Sequence, residues 1–226
     1  MHEIVQRLIR IENQIKEEST KLNIPEVPKI IAIAKTFPLE TIMPLIEHGH
    51  IHFGENKVQE AKIKWTSIKK EKSRLNLHFV GRLQTNKVKD VVKLFDYVHS
   101  LENVKQAEAL SKYESELKKK LKYFIQINIG HETQKSGIAS ESAKSFLEEC
   151  VQQYNLNIIG LMCLPPYDKF PEKYFKEMKN LNNSLLTSNN NQSQELSMGM
   201  SNDYIAAITY GSTYIRIGTK IFGERK

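Results

Sequence analysis

The chain has 226 residues, of which 40% are hydrophobic and 26% charged, and its formal net charge is +7. This composition excludes wholesale disorder, and a chain with only Cys150 and Cys163 cannot carry a disulfide framework. No aliphatic run is long enough to cross a bilayer, and charged residues interrupt the amino-terminal segment, unlike a secretory signal; we expect a cytoplasmic protein.

Apolar spacing predicts alternating helices and strands. Residues 2–22 carry Ile4, Leu8, Ile11 and Ile15 at helical spacing, which predicts an amphipathic helix. The run KIIAIAKTF (29–37) is typical of a buried strand. Further strands are predicted at 51–54, 77–81, 96–100, 123–129, 158–164, 195–199 and 213–218. The intervening helices are predicted at 39–48, 56–70, 86–95, 102–120, 140–154, around 174–181 and at 202–210.

Eight short strands that alternate with helices, without an internal linker, favour a (β/α)8 TIM barrel over an open doubly wound sheet. We expect residues 1–226 to form one domain, with an extra helix at the amino terminus. In such a barrel the functional residues lie in the loops at the carboxyl ends of the strands.

Lys35 follows the first predicted strand directly, at such an end. A lysine in this position is most often a solvated surface residue. The functional alternative is an amine that attacks an aldehyde and forms a Schiff base.

The loops after strands seven and eight, MGMSND (198–203) and RIGTK (216–220), favour the functional alternative. Barrels commonly bind a phosphate there, against a helix amino terminus. Gly199 and Gly218 allow close backbone approach, while Ser201 and Thr219 supply hydroxyls. Ser201 also stands where a helix N-cap is expected, and both roles are compatible. A phosphate site together with a strand-end lysine indicates pyridoxal phosphate.

Arg216 lies within an apolar strand, between Ile215 and Ile217. Burial of a guanidinium requires compensating partners, and an ion pair at the barrel mouth is its ordinary role. The functional alternative places Arg216 at the pyridine nitrogen of the cofactor, where a cation disfavours ring protonation and makes the ring a poorer electron sink.

Other polar residues also follow predicted strands and are expected to point at the same mouth. As single residues they are better explained as loop-structuring hydrogen bonders. They are Glu55, Asn56, Arg82, Gln84, Asn86, Lys87, Asn128, Lys135 and Ser136. A metal site is poorly supported, because the alternating His48, His50 and His52 have no Cys or carboxylate partner at ligand-like spacing. The basic residues are dispersed, so no specific nucleic-acid partner is expected.

Seven blocks of the sequence resemble the pyridoxal phosphate homeostasis protein family, in family order from about residue 29 to 225. The blocks are IAIAKTFP, HFGENKVQE, LHFVGRLQTNKVK, QINIGHETQKSGI, IIGLMCLPP, LSMGMSNDYIAAITYGST and YIRIGTKIFGER. The resemblance implies a barrel of the alanine racemase N-terminal type that holds pyridoxal 5'-phosphate as an internal aldimine of Lys35. It further implies that Ser201, Gly218 and Thr219 hold the phosphate, that Arg216 lies by the pyridine nitrogen, and that Asn56 lies near the cofactor face.

The resemblance also implies a function without established catalysis: vitamin B6 and amino-acid or keto-acid homeostasis. Partners would be the cofactor and enzymes that depend on it, and we expect a monomer. The alternative is an amino-acid racemase, which needs an acid and a base on opposite faces of the substrate. Alanine racemase takes its tyrosine from a second domain that we do not expect in this chain, which leaves Tyr204, Tyr210 and Tyr214 as candidates.

Overall fold

The computed structural model of the chain describes residues 1–132, 136–166, 170–186 and 195–224. Its eight parallel strands form a closed barrel in which each strand pairs with the next in sequence and β8 pairs with β1. The strands are β1 (Lys29–Ile33), β2 (His52–Glu55), β3 (Asn76–Phe79), β4 (Tyr97–Leu101), β5 (Lys122–Ile127), β6 (Ile158–Cys163), β7 (Glu195–Met200) and β8 (Tyr214–Ile217). The predicted (β/α)8 barrel is confirmed.

The helices surround the barrel. They are α1 (Glu3–Lys21), α2 (Leu39–Glu47), α3 (Val58–Glu71), α4 (Val88–Leu94), α5 (Val104–Leu117), α6 (Ala143–Gln152), α7 (Glu172–Leu186), α8 (Tyr204–Thr209) and α9 (Thr219–Phe222). The predicted amino-terminal helix is confirmed as α1, which packs against α2, α8 and α9. Its apolar stripe, including Leu8 and Ile15, is buried. The helical spacing of the apolar residues therefore identifies the face of α1 that packs against the rest of the protein. None of the described helices is both long and apolar enough to cross a membrane.

Two hydrophobic cores follow from the alternation of side chains along the strands. The larger core lies between the barrel and the helices and includes Phe53 and Trp65. The smaller core contains Ile31, Tyr97 and Tyr214 from β1, β4 and β8. Successive residues of a strand point alternately to the helices and to the inside of the barrel. Polar side chains at the inward-facing positions are therefore enclosed within the barrel.

Several elements differ from the predicted ones. The first strand ends at Ile33 because the chain turns there: Thr36 has a φ of 69°, and Phe37 N–H donates to Ala34 O over 3.2 Å. The predicted helices at 86–95 and 140–154 each begin with a 3₁₀ turn. Helix α9 is too short to carry an apolar period, so the pattern missed it. The predicted loop at 188–194 lies outside the described residues.

Candidate functional site

The register of β1 and β2 brings Lys35 and Asn56 to the same part of the barrel mouth. Ile33 pairs with Gly54, and each site residue lies two positions farther along its own chain segment. Both side chains are half-buried. Parallel pairing therefore converts two strand-end residues, 21 positions apart in the sequence, into neighbours.

The register of β1 and β8 brings the last loop to the same place. Ala32 pairs with Ile217, so the Gly218–Thr219 turn follows β8 beside the end of β1. The two loops are also joined by stacked rings, since the centroids of Phe37 and Phe222 lie 4.8 Å apart. Gly218 precedes α9, whose first N–H groups have no partner within the helix. Thr219 is exposed, and its hydroxyl makes no hydrogen bond with any described residue.

The backbone that carries Lys35 is held from outside the barrel. Lys64 Nζ donates to Ala34 O over 2.8 Å and to Glu55 Oε1 over 2.8 Å. Trp65 Nε1 donates to the same Glu55 oxygen, also over 2.8 Å. Glu55 thus faces α3, and the prediction that it points at the mouth is wrong, because alternation along β2 turns it outward.

The side chain of Asn56 presents an unsatisfied acceptor: Oδ1 is buried and has no hydrogen-bond partner. The backbone of Asn56 is fixed by Gly81, where a Cβ atom would lie 2.0 Å from Asn56 O. A cleft of about 380 Å³ opens beside Asn56, with Arg82, Gln84 and Lys87 in its wall. Buried acceptors are rarely left unpaired, so Asn56 has the character of a ligand-binding group.

Ser201 follows β7 and is half-buried, and its hydroxyl makes no hydrogen bond with any described residue. The predicted N-cap role is wrong: Asp203 precedes α8, and its Oδ1 accepts from Met200 N–H over 2.6 Å. Gly199, with a φ of +89°, is required here because a Cβ would lie 2.6 Å from Ala207 Cβ. The hydroxyl of Ser201 remains available to a ligand.

Arg216 lies inside the barrel and is 4% exposed. One guanidinium nitrogen donates to Ser197 Oγ over 2.6 Å and the other to Cys163 O over 2.8 Å. Burial lowers the pKa of this group. Within the described residues Arg216 forms no salt bridge, so neutral acceptors take the place of the ion pair expected for a buried arginine.

Three histidines form a hydrogen-bonded series inside the barrel that the sequence analysis did not identify. His52 Nδ1 lies 2.9 Å from His78 Nε2, and His78 Nδ1 lies 2.9 Å from His99 Nε2. His99 Nδ1 lies 2.9 Å from Ser197 Oγ, the atom that also accepts from Arg216. Burial lowers the pKa of His52 to about 4 and lowers the pKa values of His78 and His99 well below the usual 6.5. The alternation of side chains along the predicted strands could have shown that these histidines face inward. It could not show that they contact one another, because that depends on the pairing registers of the strands.

Two of the three tyrosines considered for racemisation lie away from the mouth. Tyr204 is buried, and its hydroxyl donates to Gln14 Oε1 on α1 over 2.6 Å. Tyr214 pairs with Lys29 at the amino end of β1, opposite the end that carries Lys35. Tyr210 follows the last residue of α8, beyond the end nearest to Ser201. Neither Tyr204 nor Tyr214 is placed as an acid or base beside Lys35.

Two further candidates, Asn128 and Lys135, come from the loop after β5. Asn128 Nδ2 donates to Glu132 O over 2.9 Å, as expected for a loop-structuring residue. Lys135 lies outside the described residues. Among the residues that are described, no cluster of three or more His, Cys, Asp or Glu is arranged to hold a metal ion.

Comparison with known proteins gives the family. The profile of the alanine racemase N-terminal domain matches residues 7–226. The pyridoxal phosphate homeostasis protein of Aquifex aeolicus (strain VF5) is 36% identical over 225 residues, which cover 98% of each chain. The protein of the same name from Haemophilus influenzae is 37% identical over 220 residues, covering 96% of this chain and 92% of that one.

A solved structure extends the comparison. PipY of Synechococcus elongatus PCC7942, determined with PLP bound, superposes with a TM-score of 0.84 at 29% identity and covers 97% of this chain and 100% of PipY. The chain belongs to the pyridoxal phosphate homeostasis protein family, which is built on the barrel of the alanine racemase N-terminal domain.

Proposed function

We propose that this protein binds pyridoxal 5'-phosphate at the barrel mouth through Lys35 and maintains vitamin B6 and amino-acid or keto-acid balance without catalytic turnover. The observation that carries the proposal is the convergence of Lys35, Asn56 and the Gly218–Thr219 turn at one end of the barrel. The relatives' name and the PLP bound to PipY support the same ligand.

The residues present fit the cofactor chemically. Pyridoxal phosphate supplies an aldehyde that condenses reversibly with a lysine amine and releases water. Ser201 and Thr219 offer hydroxyls, and the turn at Gly218 offers backbone N–H groups, for a phosphate. The unsatisfied Oδ1 of Asn56 offers an acceptor toward the cofactor face.

Arg216 argues for holding the cofactor rather than activating it. The guanidinium is buried on the inner side of the site, with acceptors at Ser197 Oγ and Cys163 O. A cation near a pyridine nitrogen opposes protonation of that nitrogen, which reduces the capacity of the ring to stabilise a carbanion. The family name and the placement of Tyr204 and Tyr214 likewise do not favour a racemase.

The test compares visible absorption spectra of purified wild type, Lys35→Ala and Lys57→Ala after incubation with pyridoxal phosphate and desalting. Lys57 is an exposed lysine near the same end of the barrel and pairs with Glu60 over 2.8 Å, so it is a matched control. We expect a protein-bound band in wild type and Lys57→Ala, and loss of the band in Lys35→Ala with unchanged circular dichroism. Wild type that takes up no cofactor contradicts the proposal.

The finer parts of the function need a second assay. We propose that the protein acts as a monomer in the cytoplasm and passes the cofactor to enzymes that depend on it. Loaded protein mixed with such an enzyme in its cofactor-free form is expected to restore that enzyme's activity. Transfer that fails while binding is intact leaves storage or scavenging as the role.

A further inference from the structure

The imidazoles of His52, His78 and His99, together with the hydroxyl of Ser197, form one continuous row of hydrogen bonds, which we call the histidine column. Its three distances are each 2.9 Å. The column begins at the half-buried His52 on β2, crosses β3 and β4, and ends on β7 at the atom that binds Arg216. It therefore connects the amino-end side of the barrel with the guanidinium beneath the mouth.

The number of protons on each group determines the direction in which the hydrogen bonds of the column are donated. A neutral imidazole has one N–H and one lone pair, so a row of neutral imidazoles must donate throughout in the same sense. Ser197 Oγ accepts from Arg216 and has one proton, and the other hydrogen-bond partner of that oxygen among the described residues is His99 Nδ1. The hydroxyl is satisfied when it donates to His99. All three histidines then carry their proton on Nε2, and each donates to the next one away from Arg216.

The charges around the column support this direction. Each imidazole turns its lone pair toward the Arg216 cation and its N–H away, which is the favourable orientation of the dipole. The ionisable groups that influence the far end are Lys29, Lys122, Asp96 and Lys69. His52 is half-buried there, and Lys29 and Lys122, like burial, oppose a positive charge on it. The burial of His78 and His99 opposes any positive charge within the column.

Asp203 favours the charged form of Arg216 but forms no salt bridge with it. We propose that Ser197 and the three histidines are positioning residues that hold Arg216 cationic and aimed at the mouth, where no described carboxylate forms a salt bridge with it. The column acts as a polarised acceptor: each hydrogen bond strengthens the next and presents a more negative Ser197 oxygen to the guanidinium. The contact of Arg216 with the pyridine nitrogen rests on the proposed function. The orientation of the column does not, because it follows from the contacts of the protein alone.

The orientation is tested on protein without cofactor. Nitrogen-15 NMR of labelled histidine distinguishes the two neutral tautomers at neutral pH. We expect Nε2–H for His52, His78 and His99 in wild type, and loss of the uniform tautomer at His99 in Ser197→Ala. Ser197→Thr, which keeps the hydroxyl, is expected to restore it. Nδ1–H tautomers or a mixture in wild type overturn the inference.

The effect on the site is tested with bound pyridoxal phosphate. In Ser197→Ala we expect about tenfold weaker cofactor binding and a shift in the pH dependence of the absorption band, since a charged hydrogen bond is lost. Ser212→Ala is the matched control: its buried hydroxyl donates to Met198 O over 2.6 Å, outside the column. If Ser197→Ala does not fold, His52→Phe replaces it, because His52 is half-buried and remote from the mouth.

The outcomes separate the two proposals. Wild type that binds no cofactor but shows uniform tautomers contradicts the proposed function and supports the column. Wild type that binds, with an unchanged band and affinity in Ser197→Ala, or in His52→Phe where Ser197→Ala does not fold, contradicts the positioning role and leaves the proposed function intact.

Discussion

Gly81 lies against the backbone of Asn56 so closely that a Cβ atom at position 81 would be 2.0 Å from Asn56 O and 2.8 Å from Asn56 Cα. The loop after β3 therefore determines where the chain after β2 can run. Because Asn56 carries the unsatisfied Oδ1 of the candidate site, a packing contact between two loops also fixes a candidate binding group.

Gly81→Ala is expected to displace Asn56, to weaken cofactor binding and to lower the free energy of unfolding by about 1–3 kcal/mol, the usual cost of overpacking. Urea unfolding and cofactor titration measure the two effects. Gly211→Ala serves as the control, because Gly211 has a φ of +88° but no atom within 4 Å of an added Cβ. Unchanged cofactor binding in Gly81→Ala would show that Asn56 is not held by this contact.

Lys64→Met is expected to lower the free energy of unfolding by about 3–5 kcal/mol, because it leaves the carboxylate of Glu55 buried without its cation. Burial already raises the pKa of Glu55, and Lys64 counteracts that rise. Adding Glu55→Gln to Lys64→Met is expected to recover part of the loss, since a neutral amide still accepts from Trp65.

Urea unfolding at neutral pH measures the Lys64 series. The control is Lys57→Met, which breaks an exposed pair with Glu60 and is expected to cost less than about 1 kcal/mol. Equal losses in Lys64→Met and Lys57→Met would contradict a structural role for the buried pair.

Stability is expected to fall between pH 6.5 and about 4. The pKa values of His50 and His52 are lowered to about 4 by burial, whereas in the unfolded chain they return to about 6.5. The unfolded state therefore binds more protons below pH 6.5. Stability from these groups is complete above 6.5 and declines by roughly 1.4 kcal/mol per pH unit for each histidine on acidification.

Urea unfolding at several values between pH 7.5 and 5 measures this slope. His50→Gln removes one titrating group while keeping an N–H donor toward His52 O, so a shallower slope is expected. A His50→Gln slope equal to the wild-type slope would argue against the buried neutral imidazole.

Tyr204→Phe is expected to lower the free energy of unfolding by about 1 kcal/mol, the usual net value of a hydrogen bond, by removing the bond to Gln14. Cofactor uptake is expected to be unchanged, because this hydroxyl faces α1 rather than the mouth. Tyr210→Phe is the control, since the Tyr210 hydroxyl makes no hydrogen bond with the described part of the chain. Loss of cofactor uptake in Tyr204→Phe would revive Tyr204 as a site residue.

The sequence by itself determined the class of fold and the position of Lys35. Short apolar runs alternating with helical periods predict a barrel, and a strand end is visible from local residues, as for KIIAIAK and RIGTK. Arg216 was also identifiable, because a guanidinium between two isoleucines must be enclosed and satisfied.

Only the tertiary structure decided which of these residues meet and which way they face. The outward orientation of Glu55, the contact of Gly81 with Asn56 and the histidine column join residues on different strands; His99 and Ser197 are 98 positions apart. The local pattern of apolar and polar residues indicates whether a segment forms a helix or a strand. Strand register and barrel closure, in contrast, depend on how the whole chain packs. For this reason the sequence predicted Lys35 as a candidate site residue but not the row of imidazoles that ends at the Ser197 oxygen beside Arg216.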